Sequence, residues 1–141
     1  MHTFPSEGWT EAYRTAVNNN VAYREASRDW DHGDVALVVE TGGLGGLPPH
    51  VGAVLGVAHG HCSQATYVTS LEAAKAAAFV IVANYDIWRR VIDGELDPVD
   101  GMLSGELDLV QGSLPTMIRY VEGSRELVSS ARQVPTDFVQ A

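Results

Sequence analysis

The residues Phe79-Val80-Ile81-Val82 form a run in which every side chain is apolar. Such a run is typical of a strand that is covered on both faces and therefore lies inside a sheet. Asn84 follows as a candidate helix N-cap, and Ile87, Trp88, Val91 and Ile92 then share one helix face. A central strand followed by a helix restricts the chain to folds that layer helices on a sheet.

Period-two and helical patterns place the other elements along the chain. Helical spacing begins at residue 6, runs to 17 and resumes up to 30, so the first part is one kinked helix or two. Strands are expected at 35–39, 53–62, 64–69 and 106–110, with a loop at 41–52 and a helical turn at 70–77. A last helix begins near Leu114, and Gly123 predicts a bend or break within it.

Length and composition limit the classes of protein to which the chain can belong. Its 141 residues, 45% hydrophobic and 19% charged, predict one folded domain, 1–141. The formal net charge of -9 excludes binding to the nucleic-acid backbone, which needs a basic surface. The longest apolar passage, residues 76–83, is too short for a membrane span of about 20 residues, so no stable membrane insertion is expected. The unpaired Cys62 and the lack of a secretory signal favour the cytoplasm.

His59 and His61 are the strongest candidates for a metal site. On a strand, alternation would direct both imidazoles to the same side, and imidazole is a common metal ligand. No third ligand follows at a suitable spacing, so we predict that no metal is bound. A metal-binding domain through these two histidines remains an alternative hypothesis.

Catalytic motifs are weak in this sequence. There is no Gly-x-Ser-x-Gly nucleophile elbow, and Cys62 has no nucleophile signature around it. We therefore predict a protein that is not an enzyme and has no cofactor. The alternative in the enzyme class is a small α+β cone of the ketosteroid-isomerase type, which would place a carboxylate base inside an apolar cavity.

Residues 93–107, DGELDPVDGMLSGEL, resemble the sterol-carrier-protein type 2 family. In that family a helix ending in glycine, a proline-containing turn and a small-residue helix precede a strand that begins Gly-Lys-Leu. Residues 79–83 with Trp88, and residues 112–114, are similar to the same pattern. The basic residues frequent in that last strand are replaced here by Glu106 and Asp108, which argues against anionic head groups.

The resemblance implies an α/β (α+β) fold. Helices would cover a five-stranded, mostly antiparallel sheet and enclose an apolar tunnel for fatty acyl chains or sterol-like lipids. It implies non-catalytic lipid binding or transfer. The residues that it suggests as lining the tunnel are Trp88, Met102, Leu103, Leu109, Leu114, Met117, Ile118 and Val121. Since residues 138–141 are not a peroxisomal tripeptide, a bacterial or archaeal cytoplasmic member is expected.

The resemblance separates an N-terminal helical segment, 1–30, from a lipid-binding part, 31–135. The N-terminal segment carries Trp9, Tyr13, Tyr23 and Trp30. We expect its helices to pack on the sheet. Capping the tunnel and forming the face of a homodimer are the alternatives, because aromatic residues are enriched at interfaces.

Overall fold

The computed structural model describes residues 1–138. Residues 139–141, which belong to the C-terminal segment compared with a peroxisomal tripeptide, lie outside the described residues. Within this part the strands are β1 His2–Phe4, β2 Val35–Glu40, β3 His50–Ala58, β4 His61–Val68, β5 Phe79–Asn84, β6 Asp108–Gln111 and β7 Thr136–Phe138. The helices are α1 Glu7–Asn18, α2 Val21–Ala26, α3 Leu71–Ala74, α4 Tyr85–Ile92, α5 Pro98–Ser104, α6 Leu114–Arg119 and α7 Val121–Ser129. Short 3₁₀ turns lie at Leu44–Gly46 and Ser130–Gln133.

The main sheet has five strands in the order β4-β3-β2-β5-β6. The β2–β5 pair is parallel and the other three pairs are antiparallel, which confirms the mostly antiparallel sheet. The apolar run at 79–82 lies in β5, between β2 and β6, as an interior strand should. Separately, β1 and β7 form a parallel pair that joins the two ends of the described chain.

The two faces of the sheet bury unequal amounts of apolar surface. Val35 and Val39 of β2 belong to the large core, which includes side chains from six of the seven helices. Ala36 and Val38, on the opposite face, join a small cluster with Ala74 and its neighbours around α3. Most of the interior therefore lies between one face of the sheet and the layer formed by α1, α2, α4, α5, α6 and α7.

The hairpin between β3 and β4 turns earlier than the sequence pattern predicted. The strand expected at 53–62 ends at Ala58, and His59 and Gly60 form the turn. Both have positive φ, 52° and 78°, as the two central residues of a type I′ hairpin turn require. A Cβ at position 60 would also collide with the backbone of Arg24, so glycine is needed there for a second reason.

The N-terminal segment forms two helices and not one kinked helix. Asn20 separates them, because its extended backbone interrupts the helix while its side chain accepts a hydrogen bond from the Tyr23 N–H at 3.1 Å. Asparagine is favoured at such N-cap positions because its side chain satisfies an N–H that has no partner within the helix.

The C-terminal helical region does break, but at Tyr120, so the position predicted for the bend or break, Gly123, is wrong. The backbone of Tyr120 leaves the helical region, with φ -102° and ψ 38°, and separates α6 from α7. Gly123 lies inside α7, where a Cβ would collide with the Ser27 hydroxyl. The glycine therefore allows α7 to approach the end of α2 closely, which local helix propensity does not reveal.

Candidate functional site

The first of two apolar cavities lies between the sheet and the N-terminal helix. Trp9 and Tyr13 of α1 form one wall, and their rings stack with centroids 5.0 Å apart. The opposite wall is the sheet, with Leu37 of β2 and Ala53 of β3. Thr10 of α1, Val39 of β2 and Gly52 of β3 also line it, and the other lining residues come from β1 and the residue after it, from α4 and from the C-terminal helical region: Phe4, Pro5, Trp88, Val91, Ile92, Val128 and Ala131.

The second cavity lies beside the first, toward α5 and α6. Its walls include Tyr23 of α2 and Trp30, together with Met102 of α5 and Met117 of α6. Methionine side chains are flexible and adapt to irregular apolar ligands. The sheet contributes Val35, Leu37, Val57 and Ile81.

Three of the described residues line both cavities: Leu37, Trp88 and Val128. Leu37 occupies the middle of the central strand, between Ala36 and Val38, which are both 0% exposed. Leu37 itself is only partly buried. Because it faces the helical layer, we infer that its remaining accessible surface faces the two cavities, which reach the centre of the sheet.

Trp88 is held against the sheet by a hydrogen bond. Its Nε1–H donates to the Val38 carbonyl oxygen across 2.7 Å, and this bond is buried. Val38 pairs with Gly52, where a Cβ would collide with the Leu37 carbonyl oxygen. Only glycine therefore allows β3 to approach β2 so closely next to the Trp88 contact.

The polar atoms near the cavities are largely occupied by hydrogen bonds within the protein. The Tyr13 hydroxyl donates to the Leu127 carbonyl oxygen at 2.6 Å, and Trp30 Nε1–H donates to the Gly33 carbonyl oxygen at 2.9 Å. Burial raises the pKa of Tyr13 well above its usual value and that of Tyr23 to about 12, so both phenols stay neutral. Among residues 1–138, no charged side chain lines either cavity. The carboxylate base that an isomerase would need is therefore not found in these walls.

The eight residues predicted to line the tunnel fall into three groups. Trp88, Met102 and Met117 line the second cavity. Three others pack against the large core from partly buried positions without lining a cavity: Leu109, Leu114 and Val121. Leu103 and Ile118 are 60% and 44% exposed. Each directly follows a buried methionine on its helix, and consecutive helix residues point in directions about 100° apart. A role in lipid binding stays a prediction for all eight.

Several cavity residues are not indicated by the sequence patterns. Leu37 lies in a strand that is apolar on both faces, so alternation could not show which side chains face the helices. Four further cavity residues were singled out in the sequence only as aromatic residues of the N-terminal segment, without a predicted place in the cavity wall: Trp9, Tyr13, Tyr23 and Trp30. They are buried within the chain and line the cavities, so they are not available as a dimer face.

The geometric basis of the histidine metal hypothesis is absent. His59 lies in the turn, with its Nδ1 3.0 Å from the Arg28 carbonyl oxygen, while His61 begins the next strand. They therefore do not alternate along one strand. In the part of the chain that the structure describes, no group of three or more His, Cys, Asp or Glu residues is placed to hold a metal ion.

Solved structures with the same fold are found, although no family model and no curated protein matches the sequence. A crystal structure described as sterol carrier protein 2 is 35% identical, with a TM-score of 0.83, over 92% of this chain and 97% of that one. A protein from Thermus thermophilus, described as possibly a sterol carrier protein, is 32% identical over 94% of this chain and 90% of that one, with a TM-score of 0.80.

A more distant structure, described as a UbiJ-SCP2 ubiquinone synthesis protein, is 18% identical over 91% of each chain, with a TM-score of 0.53. That similarity concerns the fold alone. The two nearer structures share both the fold and about a third of their residues with this protein across nearly its full length. On these grounds the chain belongs to the sterol carrier protein 2 family.

Proposed function

We propose that this protein binds and carries apolar lipids, such as fatty acyl or sterol-like molecules, without catalysing a reaction on them. The observation that supports it most directly is the pair of adjacent cavities, whose walls are almost wholly apolar and contain no charged side chain among the described residues. Small-molecule sites are typically concave and lined by apolar and aromatic side chains. Membership of the sterol carrier protein 2 family supports the same function.

The cavities must widen to accept a lipid. Each cavity has a volume of about 40 Å³, whereas sites for drug-sized ligands typically have volumes of about 300–1,000 Å³. Met102 and Met117 are the residues best suited to this adjustment, because their unbranched side chains change rotamer at low cost. A continuous tunnel would then form between the sheet and the helices.

A cytoplasmic location is part of the proposal. It is supported by the free thiol of Cys62, because unpaired thiols remain reduced in that compartment. None of the helices in residues 1–138 has the length and apolar character needed to cross a bilayer.

Native mass spectrometry of the protein purified from a lipid-rich host tests the function. We expect a retained lipid whose mass names its class. The delipidated protein should also bind a fluorescent fatty acid or a fluorescent sterol in titrations. Retention of no lipid, together with no binding of either probe, would show that the proposal is wrong.

Two neighbouring residues of α6 provide a matched pair of variants for this test. Met117 is 4% exposed and lines the second cavity, whereas Ile118 is 44% exposed and lines neither. Met117→Lys places an ammonium group in an apolar space, where an unpaired charge is strongly unfavourable, so probe binding should be lost. Ile118→Lys should leave probe binding unchanged. Equal effects of the two substitutions would contradict a binding site in the second cavity.

A further inference from the structure

The two cavities share a boundary formed by three side chains. Of the three described residues that line both, Leu37 belongs to the central strand, whose backbone is paired on both sides. Val128 is a short, β-branched side chain on α7, and its χ1 is restricted. Trp88 is the largest of the three, and it extends from α4 across the space between the helices and the sheet.

The position of the Trp88 indole depends on one polar contact, its hydrogen bond to the Val38 carbonyl oxygen. If the indole rotates away, this bond breaks and two buried polar groups lose their partner. Leaving buried polar groups without a partner typically costs about 1–3 kcal/mol, which corresponds to about a 5- to 150-fold change in an equilibrium constant. That cost is small enough for a ligand to offset and large enough to measure.

We propose that Trp88 is the partition that sets which lengths of ligand the protein prefers. A short apolar chain occupies one cavity and leaves the indole in place, whereas a long chain passes through both and displaces it. The part of the ligand inside the cavities is therefore an apolar chain without charge along its length, because no charged side chain lines either cavity in residues 1–138. This inference rests on the proposed lipid-carrying function.

The other two tryptophans of the chain supply matched controls. Trp9 lines only the first cavity and donates its indole N–H to the Thr136 hydroxyl at 2.9 Å. Trp30 lines only the second and donates to the Gly33 carbonyl oxygen. Replacing any of the three by phenylalanine removes one indole N–H and a similar volume, but only the change at position 88 alters the boundary.

The test measures the displacement of a fluorescent fatty acid by octanol and by hexadecanol in the full chain. In Trp88→Phe the hydrogen bond is already absent before binding, so hexadecanol no longer breaks it. We expect the preference for hexadecanol over octanol to rise at least about fivefold relative to the wild type. Trp9→Phe and Trp30→Phe leave the Trp88 hydrogen bond in place, so neither should produce this rise in preference.

The outcomes separate this inference from the proposed function. If the wild type binds neither the probe nor the alcohols, the lipid-carrying function is wrong, and the role of Trp88 is wrong with it. If binding occurs but the preference stays the same in Trp88→Phe, or rises equally in the two controls, the function stands and the Trp88 partition is wrong.

A second measurement does not depend on the folding of Trp88→Phe. In the NMR spectrum of the wild type, the Trp88 indole N–H signal can be assigned by elimination from the Trp9→Phe and Trp30→Phe spectra. Saturating hexadecanol should shift this signal and speed its exchange with solvent, while octanol should not. An unchanged signal with hexadecanol bound would overturn the proposal.

Discussion

The side-chain amide of Asn18 pairs with the backbone of Cys62 in both directions. Its Nδ2 donates to the Cys62 carbonyl oxygen and its Oδ1 accepts from the Cys62 N–H, each at 2.8 Å. Cys62 lies in β4, an edge strand of the main sheet. The last residue of α1 therefore supplies the hydrogen bonds that a further strand would otherwise provide, and it anchors the N-terminal helices to the sheet.

Asn18→Ala should lower the free energy of unfolding by about 1–3 kcal/mol, because it leaves both backbone groups of Cys62 without this partner. Urea denaturation measures the change. The exposed neighbour Asn19 is the control, since Asn19→Ala should stay within about 0.5 kcal/mol of the wild type. An equally small effect at Asn18 would mean that water replaces the amide at no cost.

Met117→Ala and Ile118→Ala should have unequal effects on stability. Truncation of a methionine in a packed core costs about 2–5 kcal/mol. We expect about 2 kcal/mol for Met117, because part of its side chain already faces the second cavity. The exposed Ile118 should cost about 0.5 kcal/mol or less. A loss near the upper limit at Met117 in urea titrations of delipidated protein would instead indicate a solid core there.

Gly123→Ala should destabilise the protein although alanine is the better helix former by about 1 kcal/mol. The new methyl group would collide with the Ser27 hydroxyl, and such overpacking typically costs about 1–3 kcal/mol. Removing that hydroxyl should relieve the collision, so Ser27→Ala should make Gly123→Ala less harmful. Additive effects of the two substitutions in a double-mutant cycle would contradict a direct contact between α2 and α7.

Stability should decrease at alkaline pH because of Cys62. Burial raises the pKa of its thiol from 9.0 to about 11. The unfolded chain therefore releases this proton first, and the contribution to stability that is present below pH 9 is lost as the pH rises toward 11. Cys62→Ala should weaken the pH dependence of urea denaturation between about pH 9 and 10, before the tyrosines of the unfolded chain, with an ordinary pKa of 10.0, lose their protons. An identical pH dependence in this variant would exclude the thiol as its source.

Local patterns in the sequence predicted most of the elements. The apolar run at 79–82 became an interior strand, and Asn84 caps α4 by accepting a hydrogen bond from the Ile87 N–H at 2.9 Å. Both signals are local, since apolar periodicity and capping depend on residues that are close together in the chain. The pattern at 93–107 likewise identified the family, which the similarity to solved structures confirms.

The tertiary structure alone determined the contacts between residues that are far apart in the chain. The partner of Asn18 is 44 residues away along the chain. Gly123 suggested a bend or break, although it serves the contact with Ser27. Leu37 and Val128 meet Trp88 at the boundary of the cavities because three separate elements pack there. Hydrophobic periodicity predicts which side chains are buried. The position of a cavity depends instead on where side chains from distant parts of the chain leave the space between the sheet and the helices unfilled.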